Sequence, residues 1–341
     1  MYQCEEANLI KKSPRRKPEM ESRTPLEAAP TFRTFYGRVI LNLPDLTEED
    51  MRYWMQNENA NELRRLLGNL HRTKQADGGW LERILAAENS AHEAFFDRKF
   101  NLDFFQQTLE GYGEEKVREW AKLKLEPHFL PGVVLTRENE PSGWRVKPND
   151  WYWQQLAAGK LKRLVGDNQL EVVKQAWLED IVVLIDTRLN PRYQGGRQMF
   201  ANDKGFLGEI ISQLRENGTI SRYENGPQSS RFGVSANEWQ EHVRPRVAEK
   251  LKLEPAQVRL ETAIEANVIP QLFSRMSRVK DGTTDTWVWY EEYFGGLSCR
   301  VDGGNSYYGG LANVYWSYSG IHWHYRAFRP LGVLAARPSV A

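Results

Sequence analysis

Apolar positions along this chain recur first at helical spacing and later in short continuous runs, and that change of period sets the predicted order of elements. A β-like run over 35–43 ends at Pro44. Thr47 and Asp50 then resemble a capping box with Asp in place of Glu, and Leu46 with Met51 is placed to staple it. Met51, Trp54, Met55, Leu63, Leu66, Leu67 and Leu70 continue as the buried stripe of one helix. Further helices are predicted over 80–91, 102–109 and 114–123, before Pro127 and Pro131 interrupt the pattern. Phe95, Phe96, Phe104, Phe105 and Trp120 in this region read as core.

Beyond it the pattern changes. Residues 137–150, with Pro141, Gly143 and Pro148, read as a linker. Asn149 or Asp150 is placed to cap a helix through Trp151, Trp153 and Leu156. The unbroken apolar run over 181–185 predicts a strand buried on both faces. Phe206, Leu207, Ile210, Ile211 and Leu214 predict an amphipathic helix stopped by Gly218. Ser235 and Glu238 form a second capping-box pattern, opening a helix through Val243 that Pro245 kinks or restarts. An apolar run over 327–334 predicts a buried closing strand. The expected class is α+β: a disordered tail over 1–31, a mainly helical domain over 32–145 and a second domain over 146–341.

Composition narrows the function. The 341 residues are 40% hydrophobic, ample for one large or two ordinary cores, and a formal net charge of +1 offers no global attraction to nucleic acid or anionic membrane. The basic cluster Lys11, Lys12, Arg15, Arg16 and Lys17 is flanked by Glu5, Glu6, Glu19 and Glu21 and reads as a solvated tail. Cys4 and Cys299 are poor candidates for a disulfide, and no window reaches the ~18 apolar residues that span a bilayer. By its own signals the chain reads as soluble and cytoplasmic, so that display outside a cell needs another carrier.

The stretch over 295–329 stands apart. It carries Tyr307, Tyr308, Tyr315, Trp316, Tyr318, Trp323, His324 and Tyr325 among Gly, Ser and Asn, and contains no Lys, Glu, Gln or Met. Such a mixture suits a binding surface: Tyr and Trp give rigid contact area at low rotamer entropy, and Ser, Asn and Gly adapt their hydrogen bonds. A plainer alternative is the closing strands of a β-rich core, where Tyr and Trp are favoured as well. The adjacent pairs Tyr307–Tyr308 and Tyr315–Trp316 would put aromatics on both faces of a strand, which favours loops.

The turn Gly309-Gly310-Leu311-Ala312, the aromatic segment after it and the closing Phe328-Arg329-Pro330-Leu331 resemble the variable proteins of diversity-generating retroelements. Thr286-Trp287-Val288-Trp289-Tyr290 and Ala263-Ile264-Glu265-Ala266-Asn267-Val268 are similar to parts of the same group, and the likeness covers the second half of the chain. The resemblance implies a C-type lectin-like domain over 146–341 with a loop-rich surface rewritten at adenine-templated codons over about 295–326. Such codons cannot encode Lys, Glu, Gln, Met or Trp, which makes the tryptophans fixed framework positions. It further implies a non-enzymatic binding protein with an unknown protein or cell-surface ligand. The expected ligand residues are Asn305, Ser306, Tyr307, Tyr308, Asn313, Tyr315, Ser317, Tyr318, His322, His324 and Tyr325, and the expected framework is Trp287, Trp289, Trp316, Trp323, Phe328 and Arg329. The Glu-Pro-Asn, Gln-Pro-Asp and Trp-Asn-Asp tripeptides of calcium-dependent lectins are absent, so the resemblance carries no calcium chemistry, and no cofactor is expected.

Other chemistries are thinner. His322 and His324, two apart, would share a strand face as metal ligands do, with Asp302 the nearest third group. Asp285, Glu291 and Glu292 offer paired carboxylates near Trp287 and Trp289. Arg231-Phe232-Gly233-Val234-Ser235, ahead of Glu238-Trp239, looks like the strand-to-helix entry of formylglycine-generating-type domains, which keeps a metal or acid–base enzyme as an alternative. A winged-helix-like unit over 205–251, with Arg215, Arg222 and Arg231 towards phosphates, is the nucleic-acid alternative. The interleaved Glu209, Glu216, Glu224, Glu238 and Glu241 argue against a basic face there.

Overall fold

The computed structural model describes residues 79–138, 141–166, 169–187, 198–273, 287–305 and 310–337. The chain divides into two compact units, Met1–Leu63 and Arg64–Ala341, and every described residue belongs to the second. The expected tail, the 35–43 run and the helix starting at Met51 lie outside the described residues.

The second unit is mixed helix and sheet, its helices concentrated early and its sheets late. Helices α1 (Trp80–Phe96) and α2 (Asp103–Lys122) come first, α2 breaking at Gly113, where φ is 81°. They are followed by β1 (Leu125–Leu130), β2 (Val133–Leu135), α3 (Asp150–Ala157), β3 (Leu161–Val165), β4 (Gln169–Val172), β5 (Ala176–Leu178) and β6 (Ile181–Asp186). Next is α4 (Phe206–Glu216). A composite helix then runs Ala236–Glu238, a π turn Trp239–Val243 and α5 (Arg244–Leu251). The chain closes with β7 (Val258–Leu260), α6 (Ala263–Leu272), β8 (Trp287–Phe294), β9 (Cys299–Gly303), β10 (Val314–Tyr318), β11 (Arg326–Phe328) and β12 (Pro330–Ala336).

One sheet has the order β1-β6-β12-β7 and is antiparallel throughout. A second has the order β10-β9-β8-β3-β4, with β11 running parallel to β8; β2 and β5 form a separate pair. The 181–185 run lies inside the first sheet, buried on both faces: Ile181, Val183 and Ile185 enter one hydrophobic cluster, Val182 and Leu184 another. Val288 and Tyr290 of β8 join the first cluster and Trp289 the second, so both cores extend across both sheets. No described helix is long and apolar enough to cross a membrane.

Two sequence expectations fail here. Residues 137–150 do not separate domains: Trp144 is buried and donates from Nε1 to Asn267 Oδ1 at 2.7 Å, and a Cβ at Gly143 would run into the Phe95 backbone. Gly143 serves close packing on α1. The helices before it share a core with the sheets after it, because Glu88 Oε1 accepts the Phe129 N–H at 2.6 Å and β1 pairs with β6, so position 145 is no boundary. The chain also forms strand β1 around Pro127 where an interruption was expected. Pro127 is tolerated because β1 is an edge strand, where a missing N–H costs the ladder little.

Local signals hold. Asn149 caps α3 by accepting the Tyr152 N–H, and Ser235 with Glu238 forms a reciprocal capping box. Pro245 sits in the first turn of α5, directly after the π turn, where its missing N–H is accommodated.

Candidate functional site

The aromatic stretch forms two adjoining pieces, an edge strand and a braced turn. Strand β10 pairs only with β9, with Tyr315 opposite Asp302 and Ser317 opposite Arg300. Gly303 allows this approach: a Cβ there would collide with the Asn313 carbonyl oxygen. Tyr315 and Tyr318 are 49% and 57% exposed. Trp316 stacks on Phe294 with ring centroids 5.2 Å apart, and Trp151 of α3 contacts both Phe294 and Tyr315. Both faces of β10 therefore carry aromatics, as its Tyr-Trp pair requires, yet this is a strand where a loop was expected. Its position at the sheet edge makes that possible, since neither face has to disappear wholly into the core.

Residues 319–325 form the turn, and the segment 219–238 holds it. Asn237 N donates to Ser319 O, Gly233 N to Trp323 O and the Tyr223 hydroxyl to His324 O. His322 Nε2 lies 3.0 Å from Glu238 Oε2 and 3.2 Å from Ser221 Oγ. Glu238 meanwhile accepts from Ser235 N and Ser221 N. Burial works against its ionised form, but the hydrogen bonds and His322 outweigh it and hold its pKa below the usual glutamate value. The brace itself is organised by Arg215, buried, which donates to the carbonyls of Ser221, Gln228, Ser230 and Phe232 at 2.7–3.0 Å. Burial lowers its pKa to about 10, so it remains a cation at neutral pH.

Beneath the strand and turn lies Arg326, buried, its guanidinium 4.4 Å from the Trp289 ring and under 6 Å from those of Trp287 and Trp323. Its Nη2 is 2.8 Å from Asp302 Oδ2, but neither Asp302 oxygen is aligned as a hydrogen-bond acceptor, so the contact is electrostatic. Burial pushes the Asp302 carboxyl up to about 6, against the partial pull of Arg326 and Ser317. Because the folded value lies above the ordinary 3.8, this group's contribution to stability is fully present below about pH 4 and is lost as pH rises through about 6. At about 1.4 kcal/mol per unit the difference is about 3 kcal/mol. Tryptophan fluorescence is expected to show a step near pH 6 that Asp302→Asn abolishes; an unchanged step in the variant would locate the proton elsewhere.

The structure brings together Tyr315, Ser317, Tyr318, His322, Trp323, His324 and Tyr325, while Ser306, Tyr307 and Tyr308 lie outside the described residues. Asn305 and Asn313 are corrections: each is only 6% exposed, so neither presents its side chain to a ligand. Both flank the crossover from β9 to β10, where Gly310 N donates to Asn305 O and Gly304 N to Asn313 O. Trp323 is corrected the other way: anchored by its backbone carbonyl, it shows a 37% exposed ring that packs on Tyr325. Trp289, Phe328 and Arg329 are buried, and Trp287 and Trp316 are partly so. Sequence reasoning missed Arg215, Arg326 and Trp151, whose roles depend on partners far away in the chain.

The alternative sites look different in three dimensions. Glu292 accepts the Ala263 N–H and Glu291 the Leu260 N–H, so both tie β8 to the start of α6, while Asp285 lies outside the described residues. His324 packs edge-on against Tyr325 and does not share the His322–Glu238 contact. Residues 231–234 form a turn, not a strand. The winged-helix geometry is contradicted: 218–232 contains no strand, Arg215 is spent on carbonyls, and Arg231 is buried between Asp186 and Asp203. Compared with known proteins, the chain matches no family model, no curated protein and no solved structure.

Proposed function

We propose that this is a ligand-binding protein of the retroelement-diversified class, whose C-terminal half is a C-type lectin-like domain displaying Tyr315, Ser317, Tyr318, His322, His324 and Tyr325 around the fixed aromatic Trp323. The partner is a protein or a cell-surface ligand. One observation carries the reading. Among the described residues, four of the six exposed large hydrophobic side chains (Leu297, Tyr315, Tyr318 and Trp323) fall within 295–326. Exposed aromatics concentrated in one place on a buried framework mark an interaction surface, and Tyr and Trp are the commonest binding hot spots.

Deep sequencing of the 3′ end of the gene across a population of the source organism tests it. Substitutions are expected to accumulate at Tyr315, Ser317, Tyr318, His322 and His324 and to spare the buried Asp302, Asn313, Arg326 and Phe328. A stretch no more variable than β6 would sink the reading. In a variant with a ligand in hand, Tyr315→Ala with Tyr318→Ala is expected to abolish binding, at about 2 kcal/mol or more per anchor. Folding stability should change by less than about 1 kcal/mol, because both rings are half in solvent. A large drop in melting temperature would instead make these tyrosines structural.

A further inference from the structure

From the open edge of β10 we infer that this protein takes its ligand by strand addition, as an extended acidic segment laid along Trp316 and Tyr318. The inference rests on β10 being part of the ligand surface, as proposed above, and adds the mode of binding and the chemistry of the partner.

The hydrogen-bond alternation fixes which backbone groups are open. Gly304 N donates to Asn313 O and Ser319 N to Ser298 O, so residues 313, 315, 317 and 319 face β9, and 314, 316 and 318 point their backbone groups away from it. At the ends these groups are taken: Asn149 Nδ2 donates to Val314 O and Ile321 N to Tyr318 O. Between them the Trp316 N–H and C=O and the Tyr318 N–H take no partner among the described residues. Three such groups on alternate residues are what two rungs of an incoming strand require.

The edge is also unprotected in its chemistry. Sheet edges are usually blunted by charge or proline, and β4, at the other end of the same sheet, carries Glu171 opposite Arg163 of β3. β10 reads Val-Tyr-Trp-Ser-Tyr, with no charge and no proline.

Charge at its flank selects the occupant. Phe294, on which Trp316 stacks, has Lys160 Nζ at 6.0 Å from its ring, and Lys162 Nζ donates to the neighbouring Gly295 O. A second copy would bring the same lysines against one another. An extended peptide with Asp or Glu beside an apolar residue places the apolar side chain on the Trp316–Phe294 shelf and the carboxylate at the lysines, because side chains of a strand alternate between faces.

The test uses the full chain and short fluorescein-labelled peptides followed by polarisation. A peptide alternating Val and Glu is expected to bind, to weaken at high salt, and to bind about tenfold more weakly once its central amide is N-methylated, the effect of losing one ladder hydrogen bond. Lys160→Glu with Lys162→Glu should reverse the preference towards a Val/Lys peptide. Equal binding of the methylated peptide overturns strand addition and leaves a surface working through side chains alone. A preference indifferent to the lysine exchange overturns the acidic partner. If the chain instead self-associates and Tyr318→Pro abolishes it, the edge belongs to a second copy. None of these results depends on whether the gene is diversified, which the population sequencing decides separately.

Discussion

Arg215→Met is expected to unfold the display turn and destabilise the whole unit by about 5 kcal/mol or more. The side chain donates to four backbone carbonyls of the 221–232 segment and lies 5.5 Å from the Tyr223 ring. Methionine fills much of the volume but donates nothing, and each orphaned carbonyl that water does not reach costs about 1–3 kcal/mol. A lysine substitute keeps the charge but lacks the planar fork, so Arg215→Lys should recover only part of the loss. In a thermal melt the methionine variant should fall by at least about 10 °C. Hydrogen exchange should accelerate first at Gly233 and Asn237, whose N–H groups hold Trp323 and Ser319. A melt within about 2 °C of the parent would show that the segment keeps its shape without the guanidinium.

Removing Glu265 should cost about 3–5 kcal/mol, because it strands a buried cation. Its carboxylate accepts both Arg259 Nη atoms at 2.6 and 2.7 Å and the Thr262 N–H at 2.8 Å, which closes the capping box of α6. Burial opposes its ionisation, but the Arg259 charge and the hydrogen bonds more than offset that, and its pKa is lowered. A lowered carboxyl contributes stability above the ordinary value of 4.5 and loses it as pH falls through the folded value. Glu265→Leu should therefore be much less stable than the parent at pH 7, with the gap narrowing in acid. Equal urea midpoints at pH 7 would mean that Glu179 and Glu291 suffice for Arg259. The opposite slope expected for Asp302 makes the two carboxylates separable by pH alone.

The contrast between these sites shows what could be read from the chain. Elements whose cause is local were legible: the 181–185 run, the Ser235–Glu238 box, the Asn149 cap and the break of α2 at Gly113. Strands β3 and β4 were not, because Leu-Lys-Arg-Leu-Val and Gln-Leu-Glu-Val lie half in solvent and carry little apolar pattern. Arg215 and Arg231 read as phosphate contacts because nothing in the sequence reveals that backbone carbonyls and two aspartates wait for them. Asn305 and Asn313 share their residue type with loop contacts, and only the crossover geometry buries them. Tyr315 and Tyr318 were legible as candidates because their exposure follows from an aromatic pair that one strand face cannot hide.

Strand β12 lies between β6 and β7, and β11 just before it joins the other sheet at β8. Synthesis runs from the N-terminus, so the flank of β6 that β12 will cover stays bare until residues 330–336 have left the ribosome. The aromatic surface is thus always translated before the strand that completes its support. A shift of reading frame anywhere within 295–326 replaces β11 and β12 along with the surface itself. Such a product has no second sheet partner for β6 and is left to the cell's proteases, whereas a simple amino-acid replacement on β10 reaches the folded state. The order of elements along the gene therefore acts as a proofreading step for the surface it encodes.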